Sequence, residues 1–181
     1  MELTKLTLEE LWQLFPIILT PPNPLWDEWY TEERTLLASF LPEYAVLTHI
    51  GSTAIHGIWA KPIIDILIEI PSGGDMSAIK TALEERGYIC MSQGSTRISF
   101  NKGYTPQGFA EKVFHLHLRY AGDNDEIAFR DYLNAHPDKA KEYEQLKLAL
   151  WKSFEHDRDA YTEAKGEFVR QCTAAAKKEQ G

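Results

Sequence analysis

An aspartate lies inside an apolar, strand-like run of this chain, at Asp65 in the segment Pro62–Ile68. A carboxylate in a buried strand is costly unless it is paired, hydrogen-bonded or bound to a cation. Two interpretations therefore stay open: an acid that caps a loop or pairs with an arginine, and a ligand of a divalent metal ion. Glu69 shares the strand face but lies roughly 13 Å away at about 3.3 Å per residue. The two carboxylates are too far apart to chelate one ion, and Leu67 between them cannot bind a metal.

A segment of small residues, Gly51-Ser52-Thr53, directly follows the preceding apolar run at residues 44–50. Glycine lets the backbone turn tightly after a strand, and backbone amides at the start of a helix attract phosphate. A strand, a Gly-Ser turn and a second strand with an acid are together typical of a site that handles phosphate. A Gly-Ser turn alone is common, so this prediction depends on the other residues.

Two histidines, His115 and His117, alternate with apolar residues in the predicted strand Lys112–Tyr120, which places both imidazoles on one face. At about 7 Å apart they can share a metal ion or flank a phosphate. A half-exposed polar strand face explains the same pattern, and both interpretations stay open. The basic residues that are candidate anion partners are Lys61, Arg97, Lys102, Arg130 and Lys165.

Gly166 lies inside the last predicted helix, directly after Lys165. Glycine in a helix interior costs about 1 kcal/mol relative to alanine. We therefore expect Gly166 to mark close packing against the sheet or a ligand.

The composition limits the classes of protein to which this chain can belong. It has 181 residues, 44% of them hydrophobic and 25% charged, with a net charge of −8. This acidic balance is unlike the basic surface of a protein that binds extended nucleic acid. The longest apolar runs are broken by charges or prolines, so we expect no signal peptide and no membrane span. The two cysteines, Cys90 and Cys172, have no metal-type spacing, and we expect reduced thiols in a cytoplasmic protein.

Hydrophobic periodicity predicts helices at both ends of the chain and a sheet in the middle. A first helix begins near Thr7 and ends at Pro16, in an N-terminal extension covering residues 1–21. One domain, residues 22–181, follows. Its predicted elements are a helix at 25–41, strands at 44–50 and 62–70, a helix at 76–85, strands at 88–91, 97–101 and 112–120 with a turn at Gly103, and C-terminal helices at 125–135, 138–156 and 159–178. This order predicts an α+β fold with a mixed central sheet and a helical C-terminal third, residues 125–178.

Several spaced motifs resemble one known family. The segment His49–Gly57, continued by Ala60–Ile66, closely resembles the signature of the GrpB-like family, a largely uncharacterised group within the nucleotidyltransferase superfamily. The further segments that resemble it are Pro24-Leu25-Trp26, Phe114–Leu118, Phe129–Pro137 continuing to Tyr143 and Lys147, and Tyr161–Phe168. The resemblance covers about residues 22–172.

The resemblance implies a nucleotidyltransferase-like core in which the Gly-Ser turn holds the phosphates of a nucleotide and acids hold Mg²⁺. Gly51 and Ser52 match the turn, with Thr53 beside them, and Asp65 matches the first acid. His117 and His115 would assist Asp65 with the metal, and Asp65 and His117 would be the catalytic residues. The residues that would neutralise phosphate charge are Lys61, Arg130 and Lys165.

The second acid of the superfamily pattern falls on Leu67. Losing one bridging carboxylate weakens two-metal chemistry, which needs both ions clamped. Two hypotheses follow. The protein binds a nucleotide or a phosphorylated small molecule and performs Mg²⁺-dependent nucleotidyl transfer, or it is a catalytically degenerate module of the same fold that binds a nucleotide or an anion. The sequence predicts neither the acceptor, nor the base, nor the oligomeric state.

Overall fold

The computed structural model describes residues 2–181 and contains one five-stranded sheet. Its strands are β1 (Val46–Ile50), β2 (Ile63–Ile70), β3 (Ile89–Gln93), β4 (Arg97–Thr105) and β5 (Gly108–Tyr120). Their order across the sheet is β1-β2-β5-β4-β3, with β2 and β5 parallel and the other neighbours antiparallel. The predicted mixed central sheet is confirmed.

Helices precede, interrupt and follow the sheet, as the hydrophobic pattern predicted. They are α1 (Leu8–Leu14), α2 (Leu25–Ala38), α3 (Met76–Glu84), α4 (Asp125–Ala135), α5 (Pro137–Phe154) and α6 (Arg158–Gln180). Short polar side chains cap several of them: Thr7 forms a capping box with Glu10, and the Asp157 carboxylate accepts a hydrogen bond from the Ala160 amide. Such caps satisfy amides that the first helical turn leaves unpaired. Of the helices in residues 2–181, none is both long and apolar enough to cross a membrane.

The two faces of β2 have different environments. The even-numbered residues Ile64, Ile66, Ile68 and Ile70 are fully buried in a core with residues of α2 and α3. Because side chains alternate along a strand, Asp65, Leu67 and Glu69 point to the opposite face. That face of the sheet therefore carries the polar groups, on the side of the C-terminal helices.

The loop between β1 and β2 is fixed to the C-terminal helices. Ile55 and Ile58 are buried with Phe129 of α4 and Tyr143 of α5. The Trp59 amide donates to a Glu144 carboxylate oxygen (2.8 Å), and Lys147 Nζ donates to the Trp59 carbonyl (2.7 Å). These contacts set the position of the end of the loop, where Lys61 lies.

The N-terminal segment packs on the sheet and the C-terminal helices. The ring of Phe15 lies 4.8 Å from that of Tyr104 and 5.0 Å from that of Phe109. The Ile17 amide donates to the Glu155 carbonyl, and Thr20 forms an isolated β-bridge with Ala60. Residues 15–20 therefore contact the domain directly, and a domain boundary at residue 21 stays a prediction.

The predicted turn at Gly103 is not present, so this prediction is wrong. Gly103 lies inside β4, which continues to Thr105, and has a φ of +97°. The register between β4 and β5 shifts between Lys102 and Tyr104 at this point. Such a bulge needs a residue that accepts positive φ, so the glycine signals a strand irregularity instead of a strand end.

Candidate functional site

Gly51 and Asp65 are in direct contact. The β1–β2 register pairs Ile50 with Asp65, so Gly51 follows directly beside the acid. Gly51 has φ +79° and ψ −175°, a backbone region that is essentially restricted to glycine. A Cβ built on Gly51 would lie 2.5 Å from the Asp65 Oδ2 atom. The predicted turn and the predicted acid therefore form one structural unit.

The two predicted histidines flank Asp65. His117 Nε2 lies 2.9 Å from Asp65 Oδ1, and His115 Nδ1 lies 3.7 Å from the same oxygen. Burial alone would raise the pKa of Asp65, but the His117 hydrogen bond and the charges of its neighbours lower that pKa to about 2. Because an ionised carboxylate only accepts hydrogen bonds, His117 Nε2 is the donor in this pair.

A chain of hydrogen bonds continues from His115 to α6. His115 Nε2 lies 2.7 Å from the Tyr104 hydroxyl, which accepts a hydrogen bond from Arg158 Nη1 at 2.9 Å. Burial lowers the pKa of His115 to about 4, although Asp65 opposes this shift. His115 is therefore neutral near pH 7. Since its Nδ1 faces the ionised Asp65 carboxylate, the arrangement favours a ring proton on Nδ1, which leaves Nε2 to accept a hydrogen bond from Tyr104.

Several cationic side chains converge beside this acid, around the ring of Tyr161. The ammonium groups of Lys61 and Lys165 each lie 5.1 Å from the centre of the Tyr161 ring. Arg158 lies one turn before Tyr161 on α6, and Lys147 comes from α5. We call the four residues Lys61, Lys147, Arg158 and Lys165 the cation cluster.

The positive charges of the cation cluster repel one another. Burial, followed by repulsion from Lys165 and Arg158, lowers the pKa of Lys61 well below its usual value. Burial and the charge of Lys165 lower the pKa of Lys147 to about 7. Asp65 favours the charged form of Lys61 and Glu144 favours that of Lys147, but these carboxylates do not outweigh burial and the repulsion between the cations. The surroundings of the cluster therefore favour an additional negative charge.

Two buried polar atoms at the cluster are orphaned. Within residues 2–181, neither Arg158 Nη2 nor the Tyr161 hydroxyl has a hydrogen-bond partner, although both atoms are buried. Both residues line a cleft between the sheet and the C-terminal helices. Buried donors are normally satisfied, and leaving one unpaired is costly. An anionic oxygen that reached these atoms would satisfy them by accepting their hydrogen bonds.

These groups line one cleft of about 490 Å³ between the sheet and the C-terminal helices. Its floor is the polar face of β5, with Asp65 of β2 beside it. The helical wall comes from one face of α6, where Arg158, Tyr161 and Lys165 recur at helical spacing. Among the predicted site residues, those that line the cleft are Gly51, Ser52, Lys61, Asp65, His115, His117 and Lys165.

Thr53 and Arg130 are placed outside the lining of this cleft. The buried Thr53 hydroxyl lies 2.9 Å from His49 Nε2 and donates to the Ile63 carbonyl (3.3 Å). Arg130 Nη1 donates to the His49 carbonyl (2.8 Å), and its guanidinium pairs with Asp131. Both residues thus support the end of β1, and this arrangement gives no support to a role for either in binding phosphate.

The remaining candidates from the sequence are explained by local contacts. Arg97 pairs with Asp123 at 2.6 Å, and Lys102 pairs with Glu33 at 2.6 Å. Gly166 lines the cleft, and a Cβ built on it would meet only the side chain of Arg170 on its own helix. Close packing against the sheet therefore does not explain Gly166, which leaves the ligand interpretation as a prediction.

The residues around Asp65 do not fit a pair of magnesium ions. Leu67, at the position of the second acid, is fully buried on the same strand face. The Glu69 carboxylate accepts hydrogen bonds from the Gly122 amide and the Asn124 side chain, at 3.0 and 3.2 Å. Mg²⁺ prefers oxygen ligands, whereas the groups beside Asp65 are imidazole nitrogens and a lysine. Among residues 2–181, no set of three or more His, Cys, Asp or Glu side chains is arranged to hold a metal ion. The magnesium site stays a prediction from the resemblance.

Sequence reasoning missed Arg158, Lys147, Tyr161 and Tyr104 as site residues. The spacing of Arg158, Tyr161 and Lys165, at i, i+3 and i+7, was a usable signal because it places three polar groups on one helical face. No comparable spacing marks Lys147, which only the family resemblance included and whose side chain is buried by the packing of α5 against the loop at Trp59.

Comparisons with known proteins agree with the fold and with the resemblance. At 15% identity, a structure of Cid1, which has RNA terminal uridylyl transferase activity, matches with a TM-score of 0.51 over 81% of this chain and 44% of that chain. This likeness shows the fold alone, which is nucleotidyltransferase-like. A crystal structure of the conserved protein GrpB from Enterococcus faecalis matches with a TM-score of 0.77 and 29% identity, over 90% of this chain and 99% of that chain.

The sequence comparisons identify the family. The glutamate-rich protein GrpB of Alkalihalophilus pseudofirmus is 39% identical over 160 residues, which cover 84% of this chain and 91% of that protein. The family model described as GrpB protein matches residues 16–175. This chain therefore belongs to the GrpB protein family.

Proposed function

We propose that the cleft binds the phosphate groups of a nucleotide or of a phosphorylated small molecule. The observation that supports this best is the cation cluster, with its two orphaned polar atoms on Arg158 and Tyr161. Buried like charges destabilise a protein unless a counter-charge is present, and a phosphate supplies both negative charge and several acceptor oxygens. The cluster is therefore better explained as a site for an anion than as a stabilising element.

The cleft offers a phosphate two kinds of partner. The cluster supplies charged donors, of which Arg158 can engage two phosphate oxygens at once. Ser52, at the start of the short helical turn Ser52–Ala54, also lines the cleft and offers a hydroxyl. His117, held by Asp65, completes the floor. We infer that the phosphate lies between the turn and α6.

The size and charge of the site favour a small partner. The cleft measures about 490 Å³, which is within the range of sites for small ligands. The net charge of −8 opposes a long polyanion over the rest of the surface. The proposed ligand is therefore a nucleotide or another small phosphate ester instead of extended nucleic acid.

Metal-dependent nucleotidyl transfer is a second candidate, favoured by one observation. Gly51 and Asp65 form a close pair at the end of β1, on a nucleotidyltransferase-like fold. The buried Leu67 at the second acid position and the nitrogen groups around Asp65 weigh against it. We therefore favour binding without metal-dependent chemistry.

Thermal unfolding with a ligand panel tests the proposal. Pyrophosphate and the four common nucleoside triphosphates are each added to the full chain, with MgCl2 or with EDTA. A ligand that binds the folded state raises Tm by mass action. We expect pyrophosphate and at least one triphosphate to raise Tm with either additive. If no phosphate compound shifts Tm in either condition, the proposal is wrong.

Two lysine variants make this test specific to the cleft. Lys165→Ala removes a member of the cation cluster, and Lys152→Ala removes an exposed lysine of α5 as the matched control. Because Lys165 repels Lys61 and Lys147, we expect Lys165→Ala to keep or raise Tm without ligand while most of the ligand-induced shift is lost. Lys152→Ala should keep both the native Tm without ligand and the full ligand-induced shift. An equal ligand-induced change in Tm in the two variants would mean that the anion binds outside this cleft.

A further inference from the structure

A second, smaller cavity adjoins the cation cluster. It measures about 170 Å³. Its apolar lining includes Pro16, Ile18, Pro62, Ile63, Phe109 and Val113. The charged groups in its wall are Lys61, Arg158 and the exposed Glu111. The cavity is therefore an apolar space with cations at one side.

The cavity and the cleft share part of their walls. Lys61, Ile63 and Arg158 line both spaces. A phosphate bound by Lys61 and Arg158 therefore has the apolar cavity as its immediate neighbour. A cavity of about 150 Å³ with apolar walls is large enough to hold benzene, so the present one has room for a single ring or a short branched chain.

The N-terminal segment forms one wall of this cavity and is held firmly in place. Phe15 packs on Tyr104 and Phe109, and the amide of Ile17 donates to the Glu155 carbonyl at 2.8 Å. Ile17 is buried, while Ile18 faces the cavity and is 42% exposed. These contacts join the wall to the folded domain, so the cavity is part of that domain.

We propose that the ligand is a phosphate ester whose uncharged apolar or aromatic group enters this cavity while Lys61 and Arg158 hold its phosphate. This inference rests on the proposed function of the cleft and adds the class of organic group. The apolar walls favour an uncharged group, and Glu111 in the lining disfavours a second negative charge there. The ligand is thus amphipathic, with its phosphate between the two spaces.

A pair of probes with the same charge tests the inference. Phenyl phosphate and methyl phosphate carry the same phosphate group and differ only in the organic part. Dissociation constants are measured by NMR titration of the full chain at low ionic strength, together with pyrophosphate, which has no organic part. We expect phenyl phosphate to bind on the order of tenfold more tightly than methyl phosphate, because the ring loses water-exposed apolar surface.

A cavity-filling variant locates the ring. Ile18 lines the cavity and is 42% exposed, so Ile18→Trp can fill the space with little effect on folding. Leu36→Trp, at a position of α2 that is 44% exposed, is the matched control. We expect Ile18→Trp to abolish the preference for phenyl phosphate and to leave the affinities for methyl phosphate and pyrophosphate unchanged. Leu36→Trp should keep the preference.

The outcomes separate this inference from the proposed function. Equal affinities for phenyl and methyl phosphate in the native chain, with pyrophosphate still bound, would overturn the inference alone. A phenyl preference that survives in Ile18→Trp would also overturn it, since the ring would then bind elsewhere. If none of the three probes binds, the proposed function fails and this inference fails with it.

Discussion

The backbone of Gly51 lies so close to the carboxylate of Asp65 that a Cβ on residue 51 would come within 2.5 Å of Oδ2. The contact joins the end of β1 to the middle of the polar face of β2. It explains why glycine is needed at this turn for two separate reasons, its φ of +79° and the space taken by the acid. The position of Asp65 in the cleft thus depends on the residue type at position 51.

Gly51→Ala should therefore destabilise the protein more than a glycine substitution with backbone strain alone. The control is Gly57→Ala, because Gly57 has a φ of +77° and no described atom within 4 Å of an added Cβ. We expect Gly57→Ala to lower the free energy of unfolding by about 1–2 kcal/mol. Gly51→Ala should cost at least about 1 kcal/mol more and should also weaken pyrophosphate binding.

Urea unfolding of both variants measures the first effect, and titration with pyrophosphate measures the second. Equal losses of stability in the two variants, with pyrophosphate affinity preserved in Gly51→Ala, would show that the contact with Asp65 is unimportant.

Ser52 and Thr53 are neighbours in sequence but should respond differently to mutation. Thr53→Val removes a buried hydroxyl that contacts His49 and the Ile63 carbonyl, and should cost about 1–3 kcal/mol of stability. Its pyrophosphate affinity should stay near that of the native chain. Ser52→Ala should change stability by less than about 0.5 kcal/mol and weaken binding severalfold. The reverse pattern in unfolding and titration data would place Thr53 in the site and remove Ser52 from it.

Lys147 should make the stability depend on pH above neutrality. Its pKa is about 7 in the folded chain because of burial and the charge of Lys165, against about 10.4 for an unfolded lysine. Between these values the unfolded state binds more protons, so the free energy of unfolding rises with pH, by up to about 1.4 kcal/mol per pH unit for one proton. Below pH 7 both states are protonated and this contribution to the slope ends.

Lys147→Met tests this expectation. The rise in the free energy of unfolding between pH 7 and pH 9 should be smaller in Lys147→Met than in the native chain. Lys152→Met, at an exposed position of the same helix, should keep the native rise. Identical rises in both variants would mean that Lys147 is not a source of the pH dependence.

The part of the site that could be predicted is the part carried by the strands and the turn. Alternation along a strand placed His115 and His117 on one face, and the unusual acid in an apolar run identified Asp65. Local pattern was sufficient because the period of a strand fixes the direction of its side chains. These residues and the Gly51-Ser52 turn all line the cleft.

The part that could not be predicted depends on how helices pack on the sheet. The burial of Lys147 arises from the contact of α5 with the Trp59 loop, which lies 88 positions away in the sequence. Thr53 resembles Ser52 in chemistry, and Arg130 resembles Lys165. The side chains of Thr53 and Arg130 nevertheless contact His49 and lie outside the cleft lining, and the sequence does not reveal these contacts. Residue type alone cannot show which cations line the cleft.

The charge of Asp65 separates anion binding from metal-dependent binding most directly. In the proposed site Asp65 lies beside the cation cluster and repels a phosphate, so Asp65→Asn should tighten pyrophosphate binding. Its gain should be roughly threefold to tenfold, equivalent to about 1 kcal/mol for one partly screened charge. Asparagine has nearly the same shape, so the close contact with Gly51 is kept.

The measurement is the Kd of pyrophosphate for the native chain and for Asp65→Asn, each in EDTA and in MgCl2. We expect tighter binding by Asp65→Asn in EDTA, together with binding by the native chain that does not require Mg²⁺. Binding by the native chain only in MgCl2, lost in Asp65→Asn, would rule out a metal-independent anion site and support an acid that holds a metal ion.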